Sequence, residues 1–211
     1  MSSPTAPLLY LASESPRRQE LLHQIGIAHT VLRVPPVAGE DEPRQANESP
    51  LVYVKRTALE KAQRAQQWLA QGRPKLDQPT DGRINLPILA ADTTVALGDT
   101  ILGKPLDAQH AASILGQLSG QTHTVFTAVV LAHQTGIHTG LSKSFVSFKR
   151  LSTEEIAQYI ETKDCFGKAG AYGIQGFAAR FIQDLKGSYS GVMGLPLYET
   201  AELLKAAKVL A

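Results

Sequence analysis

The chain reads as an α/β protein built on a mixed sheet with flanking helices, and three observations carry that expectation. Short apolar runs alternate with amphipathic segments along most of its length, the pattern of strand–helix crossovers. Two long β segments, near 123–133 and 138–149, flank Gln134-Thr135-Gly136 and read as a hairpin, which demands antiparallel pairing. At 211 residues, 43% hydrophobic and 19% charged, the chain is globular and long enough to bury a core, with one domain expected over 1–211.

The first strand is expected near 7–12, where Leu8, Leu9, Tyr10, Leu11 and Ala12 form an apolar run. Ser15-Pro16 then opens a helix to about residue 25, because Ser caps well and Pro needs no N–H at the first helical position. A second strand covers about 29–34 and breaks at Pro35-Pro36. Ser49-Pro50 starts a long helix in which Leu51, Val54, Ala58, Ala62, Ala65 and Leu69 recur on one face. The turn-rich stretch 71–86 reads as a surface loop, and Leu86–Ala91 as a buried strand ending at Asp92. A helix near 107–118 precedes the hairpin. Ser152-Thr153-Glu154-Glu155 begins another, running to about Thr162, and a last one is entered through Pro196.

Net charge is only +2, so no global field argues for nucleic acid or membrane binding. The N-terminal apolar run is short and lacks a charged leader, and no stretch approaches the roughly 20 apolar residues of a bilayer span. A soluble cytoplasmic protein is expected. Cys165 is the only cysteine, which rules out an intramolecular disulfide and reads as a buried thiol. The six histidines are scattered without metal-ligand spacing, so zinc-hydrolase chemistry has little support.

Candidate chemistry gathers elsewhere. In LLYLASESPRR (8–18) a strand feeds a helix N-terminus carrying Ser13, Arg17 and Arg18, an arrangement suited to phosphate; an ordinary basic turn is the alternative. Asp92 at a strand end can hold a metal or activate water, or simply bond its own turn. Glu40, Asp41 and Glu42 form an oxygen-rich cluster suited to Mg²⁺ or Mn²⁺, or else a solvated loop. GDTILGKP (98–105) approaches a phosphate-loop pattern, but Pro105 offers no hydroxyl, leaving Lys104 as a point charge. KAGAYGIQG (168–176) is a Gly-rich turn whose Gln175, expected to be buried, can pair with a base edge. Carboxylates beside Lys and Arg suit metal-assisted attack of water on a phosphoanhydride.

LASESPRRQELL (11–22), ADTTV (91–95), LGKP (102–105), KAGAYGIQG (168–176) and GSYSGVMGLPL (187–197) together resemble the Maf-type nucleoside triphosphate pyrophosphatases. The resemblance spans nearly the whole chain, with the motifs in the same order. It implies a hydrolase that cuts a nucleoside triphosphate between the α and β phosphates, releasing the monophosphate and pyrophosphate, with a divalent cation (Mg²⁺, Mn²⁺ or Co²⁺). It also implies a two-lobed fold similar to the inosine triphosphate pyrophosphatases, with the cleft between the lobes and dimers in several members. By the same resemblance Asp92 is the proton acceptor, and with Glu42 it forms the metal site. Ser13, Arg17, Arg18, Lys61 and Lys104 are the corresponding phosphate-binding residues. Arg17, Thr93 and Gln175 match the dTTP/UTP branch, where the 7-methyl-GTP branch has Trp, Gln and Glu. Gly191 departs from members with Asn. Two rival readings stay open: a nucleotide-sensing regulator of cell division with little turnover, suggested by the family's link to septum inhibition, and an inosine triphosphate pyrophosphatase, whose motifs are absent.

Overall fold

In a computed structural model, residues 6–35, 42–72, 75–76, 86–134 and 136–210 are described. Strand β1 (Leu9–Leu11) leads into helix α1 (Pro16–Gln24), and strand β2 (His29–Arg33) returns parallel to β1. Ser15 occupies the N-cap of α1 with Pro16 inside the first turn, although its hydroxyl caps no backbone N–H. Helix α2 (Pro50–Ala70) follows; there the capping is made, with Ser49 accepting from the Val52 N–H. A two-residue strand β3 (Lys75–Leu76) pairs antiparallel with β2, inside the stretch expected to be loop.

The central strand β4 (Ile88–Leu97) runs well past Asp92, and it turns at Gly98-Asp99 into β5 (Thr100–Leu102). Asp92 is therefore a mid-strand residue, a correction to the strand end read from the sequence. Thr93, Thr94 and Val95 are β-branched and continue the strand naturally. Helix α3 (Ala108–Leu118), capped by Asp107, precedes the hairpin of β6 (Thr122–His133) and β7 (Gly136–Phe148). Helix α4 (Thr153–Glu161) carries a complete capping box between Ser152 and Glu155. Strand β8 (Ile182–Lys186) pairs with β7. The stretch 187–196 holds a short helix α5 (Tyr189–Met193) ahead of α6 (Leu197–Ala206).

The strands form one mixed sheet in the order β3-β2-β1-β4-β6-β7-β8, with β5 added beside β4. Side chains alternate across it. Tyr10, Ala90, Phe126, Ala128 and Val130 meet α2 on one face. Leu9, Leu11, Leu89, Ala91, Val129 and Leu131 meet α1 and α6 on the other. A third cluster, around α3, α4 and Phe148, covers the far half of the sheet and encloses Cys165. No helix among the described residues is long and apolar enough to cross a membrane.

The contact of α2 with the sheet is made by small residues: Ala58, Ala62 and Ala65 are fully buried beside Val54 and Thr57. Without long side chains between them, helix and strands approach closely. Ala62→Leu should therefore overpack this seam and cost about 1–3 kcal/mol in urea unfolding. Val52→Leu, on the 54% exposed side of the same helix, should stay within about 0.5 kcal/mol of the parent.

Candidate active site

The site lies where β4 loses a neighbour. On one edge β6 pairs β4 throughout Ile88–Ala96. On the other edge β1 pairs only Ile88 and Leu89, and β5 only Val95, Ala96 and Leu97. Among the described residues no strand covers 90–94 on that edge. A cleft of about 540 Å³ opens there, lined by residues from the β1–α1 junction, α2, β4 and the turns at 167–175 and 192–194.

Asp92 and Thr93 are neighbours in sequence, so they serve opposite faces of the sheet. Asp92 turns toward α2 and is 6% exposed. Lys61 Nζ donates to its Oδ1 at 2.6 Å and lies 2.6 Å from Glu42 Oε1, so one ammonium joins two carboxylates. Thr94 Oγ1 donates to Asp92 Oδ2 at 3.3 Å. Burial pushes the Asp92 carboxyl up, but Lys61, Arg18 and the Thr57 hydroxyl outweigh it and hold the group below its ordinary value. Asp92 is thus ionised at neutral pH inside a sheet.

Thr93 turns the other way, toward Arg18. That guanidinium is fixed on three sides: Nε donates to the Gly194 carbonyl at 2.8 Å, and its terminal nitrogens to Ser13 Oγ at 3.1 Å and Thr93 Oγ1 at 3.5 Å. Burial lowers the Arg18 pKa, yet guanidinium remains a cation at any pH the fold survives. Thr127 Oγ1 in turn donates to the Gly191 carbonyl at 2.7 Å and contacts Thr93 Oγ1 at 3.1 Å. A Cβ at Gly191 would lie 2.7 Å from Ser142 Oγ and 3.1 Å from Ser142 Cβ and Ser188 Cβ, so a larger residue there requires these side chains to shift.

Ser13, Arg17, Arg18, Lys61, Asp92, Thr93, Lys104 and Gln175 all line the cleft, while Glu42 sits just behind it on Lys61. One expectation is corrected: Gln175 is exposed at the cleft mouth rather than buried, because Tyr172 and Ile174 take the buried positions of the turn and leave the amide on its open side. Glu40 and Asp41 lie outside the described residues. Lys104 is exposed, on the turn after β5 rather than in a phosphate loop. Among the described residues no group of three or more His, Cys, Asp or Glu side chains could hold a metal ion.

The structure adds residues that the sequence did not single out. Arg64, three positions after Lys61 on α2, lines the cleft 3.8 Å from Glu42 Oε1; helical spacing could have found it. Lys168 also lines it, held by Asp164 Oδ1 at 2.8 Å. Tyr172 supplies an apolar wall, backed by His123, whose Nε2 lies 2.8 Å from the Tyr172 hydroxyl. Burial pushes His123 down to about 4, so its ring is neutral at pH 7.

The cleft thus combines six cationic side chains with one buried, ionised carboxylate, a setting for phosphate esters and anhydrides. A family model, that of the Maf-like proteins, matches residues 8–207. This chain belongs to the Maf family. The Maf match runs from the start of β1 to the end of α6, so every element around the cleft falls within it. Relatives share nearly the whole length of the chain. A dTTP/UTP pyrophosphatase of Bordetella avium is 52% identical over 204 residues, covering 96% of each chain. One of Burkholderia pseudomallei is 46% identical over 215 residues, 99% of this chain and 97% of the relative. One of Cupriavidus metallidurans is 48% identical over 204 residues, covering 95% and 96%.

In this Maf protein Lys61 is the main counterweight to the burial of Asp92. Lys61→Met keeps much of the side-chain volume and removes the charge. In metal-free protein the Asp92 carboxyl should then titrate at higher pH than in the parent, read by ¹³C NMR of the side chain. An unchanged titration would mean that Arg18 and the hydroxyls suffice without Lys61.

Proposed function

We propose that this chain hydrolyses dTTP and UTP to the monophosphate and pyrophosphate. The observation that carries the reading is the buried, ionised Asp92 in a cleft that also gathers six cationic side chains. A carboxylate there, taken by itself, opposes the binding of a triphosphate and needs a use in the reaction. Hydrolysis gives it one, because water attacking the α-phosphorus must give up a proton.

In the proposed reaction the water oxygen bonds to the α-phosphorus, Asp92 takes its proton, and the bond from the α-phosphorus to the bridging oxygen of pyrophosphate breaks. Arg18, Arg64 and Lys104 hold the phosphate oxygens and offset the charge that grows on the leaving group. Lys61 has two uses. In the free protein it keeps Asp92 ionised; once phosphates draw its ammonium away, Asp92 is left desolvated and becomes a stronger base.

The donor set fits a divalent cation. Glu42 and Asp92 already hold one positive group between them, the Lys61 ammonium, and their oxygens suit a hard ion that takes one or two carboxylates plus substrate phosphates. When bound, such an ion would add positive charge beside the phosphates. Glu42 and Asp92 are the residues that would hold it.

For the base, Gln175 at the cleft mouth can both donate to and accept from the edge of uracil or thymine. Arg17 has only donors and favours the O4 carbonyl over the amino group of cytosine. Thr93 contributes to selectivity through Arg18, whose position it helps to set. The names of the relatives support the same substrates.

Two measurements test this reading. Purified protein with Mg²⁺ or Mn²⁺ should release pyrophosphate, not orthophosphate, from dTTP and UTP, and chelator should stop it. Asp92→Asn should lower kcat by at least about 10²-fold while the protein stays folded; turnover within a few-fold of the parent would remove Asp92 as the base.

Selectivity gives a third test. The parent should prefer dTTP and UTP over purine triphosphates in kcat/KM, and more weakly over CTP. Exchanging Arg17, Thr93 and Gln175 for Trp, Gln and Glu should erode that preference. Equal kcat/KM for GTP and UTP in the parent would refute the assignment.

A further inference from the structure

Glu42 must be brought to Lys61 from a segment that precedes α2, and a second set of contacts holds that segment. Glu48, 6% exposed, sits just before the N-cap of α2. Arg56, two turns along the helix, grips it with both arms of its fork: Nε donates to Oε1 at 2.7 Å and one terminal nitrogen to Oε2 at 2.8 Å. The nitrogen that reaches Oε2 also donates to the Pro43 carbonyl at 3.0 Å, directly beside Glu42. Glu48 Oε2 accepts from the Gln45 N–H at 3.1 Å, and the Glu48 carbonyl accepts from Arg44 Nε at 3.0 Å. Tyr53, whose ring lies under the Arg56 guanidinium at 5.4 Å, donates its hydroxyl to the Glu42 carbonyl at 3.0 Å.

Every one of these bonds ends on the backbone of 42–48 or on Glu48, and none reaches the cleft. An ion pair serving only helix stability needs no bonds to Pro43, Gln45 and Glu42. A device for fixing Glu42 needs all three. We propose that the Glu48–Arg56 pair, with Tyr53, is the positioning element that holds Glu42 against Lys61 and so sets the affinity of the site for its divalent cation. The proposal rests on the function proposed above, in which Glu42 and Asp92 hold that cation. It names residues that touch neither substrate nor metal and act through Glu42.

Such supports typically change metal affinity by 10–100-fold when removed. Binding of Mn²⁺ to the protein, followed by electron paramagnetic resonance with the non-hydrolysable α,β-methylene analogue of dUTP present, reads this without turnover. Arg56→Met should weaken Mn²⁺ by roughly tenfold or more, with kcat at saturating Mn²⁺ within about threefold of the parent. The exchange of the Gln45 amide hydrogen should quicken in the same variant. Arg56→Lys keeps the charge but not the fork, so it should fall between the two; it carries the test if Arg56→Met fails to fold.

Glu60→Ala is the control. Glu60 takes only the remaining arm of Arg56, at 3.0 Å, and makes no bond to 42–48. Its loss should leave Mn²⁺ affinity unchanged. Folded Arg56→Met with parental Mn²⁺ affinity overturns the proposal, as does an equal loss in Glu60→Ala. A parent that neither binds Mn²⁺ nor releases pyrophosphate overturns the functional reading and this proposal with it. A parent that does both, while the Arg56 variants bind as it does, overturns this proposal alone.

Discussion

A negative charge buried in the middle of a sheet is the constraint around which this molecule is arranged. An isolated carboxylate at the depth of Asp92 would take up a proton rather than stay charged. It remains ionised because two helices each send a cation to it: Lys61 from α2 and Arg18 from α1. Each cation then needs its own support. Lys61 is shared with Glu42, which requires the segment before α2 to be fixed in place. Arg18 is held by Ser13, Thr93 and the carbonyl of Gly194, which requires α5 to close against β6. The elements that look peripheral in the topology are the ones that keep this charge balanced.

Access to that charge comes from an interruption in the sheet. Strand β1 is three residues long and β5 pairs only from Val95, so the backbone of β4 between them faces open space rather than a neighbour. A fully paired β4 would turn Asp92 and Thr93 to opposite sides of a closed wall. With the gap, side chains from both faces reach one cleft. The short N-terminal strand is therefore as much part of the site as the motif that follows it.

Much of this was legible in the chain. The hairpin, the long helix and the Ser-Pro helix start follow from period and capping, and all five motif segments contribute to the cleft. Asp92 was misplaced to a strand end because three consecutive polar residues look like a turn; the pairing with β6 that keeps them extended lies more than 30 residues away. The same distance problem hid β8, whose partner β7 lies more than 30 residues earlier, whereas β5 pairs locally with β4 but is only three residues long. Gln175 read as buried because it stands among glycines and apolar residues, whereas Tyr172 and Ile174 take the core positions of the turn and leave the amide on its open side. Thr127 had no local signal at all. Its hydroxyl matters only because Gly191, 64 positions on, packs above it.

The alanine seam of α2 has a consequence beyond stability. Lys61 is followed directly by Ala62, so the height of the helix above the sheet is also the height from which the lysine reaches down. Its ammonium meets Asp92 at hydrogen-bond distance because the small side chains of Ala58, Ala62 and Ala65 let the helix come close to the strand. The seam works as a gauge block: its thickness calibrates the span between cation and carboxylate. Evolutionary enlargement of the core at this place is closed off on chemical grounds as well as steric ones. A bulkier residue that the fold could absorb by lifting the helix a fraction of an ångström would still detune the site.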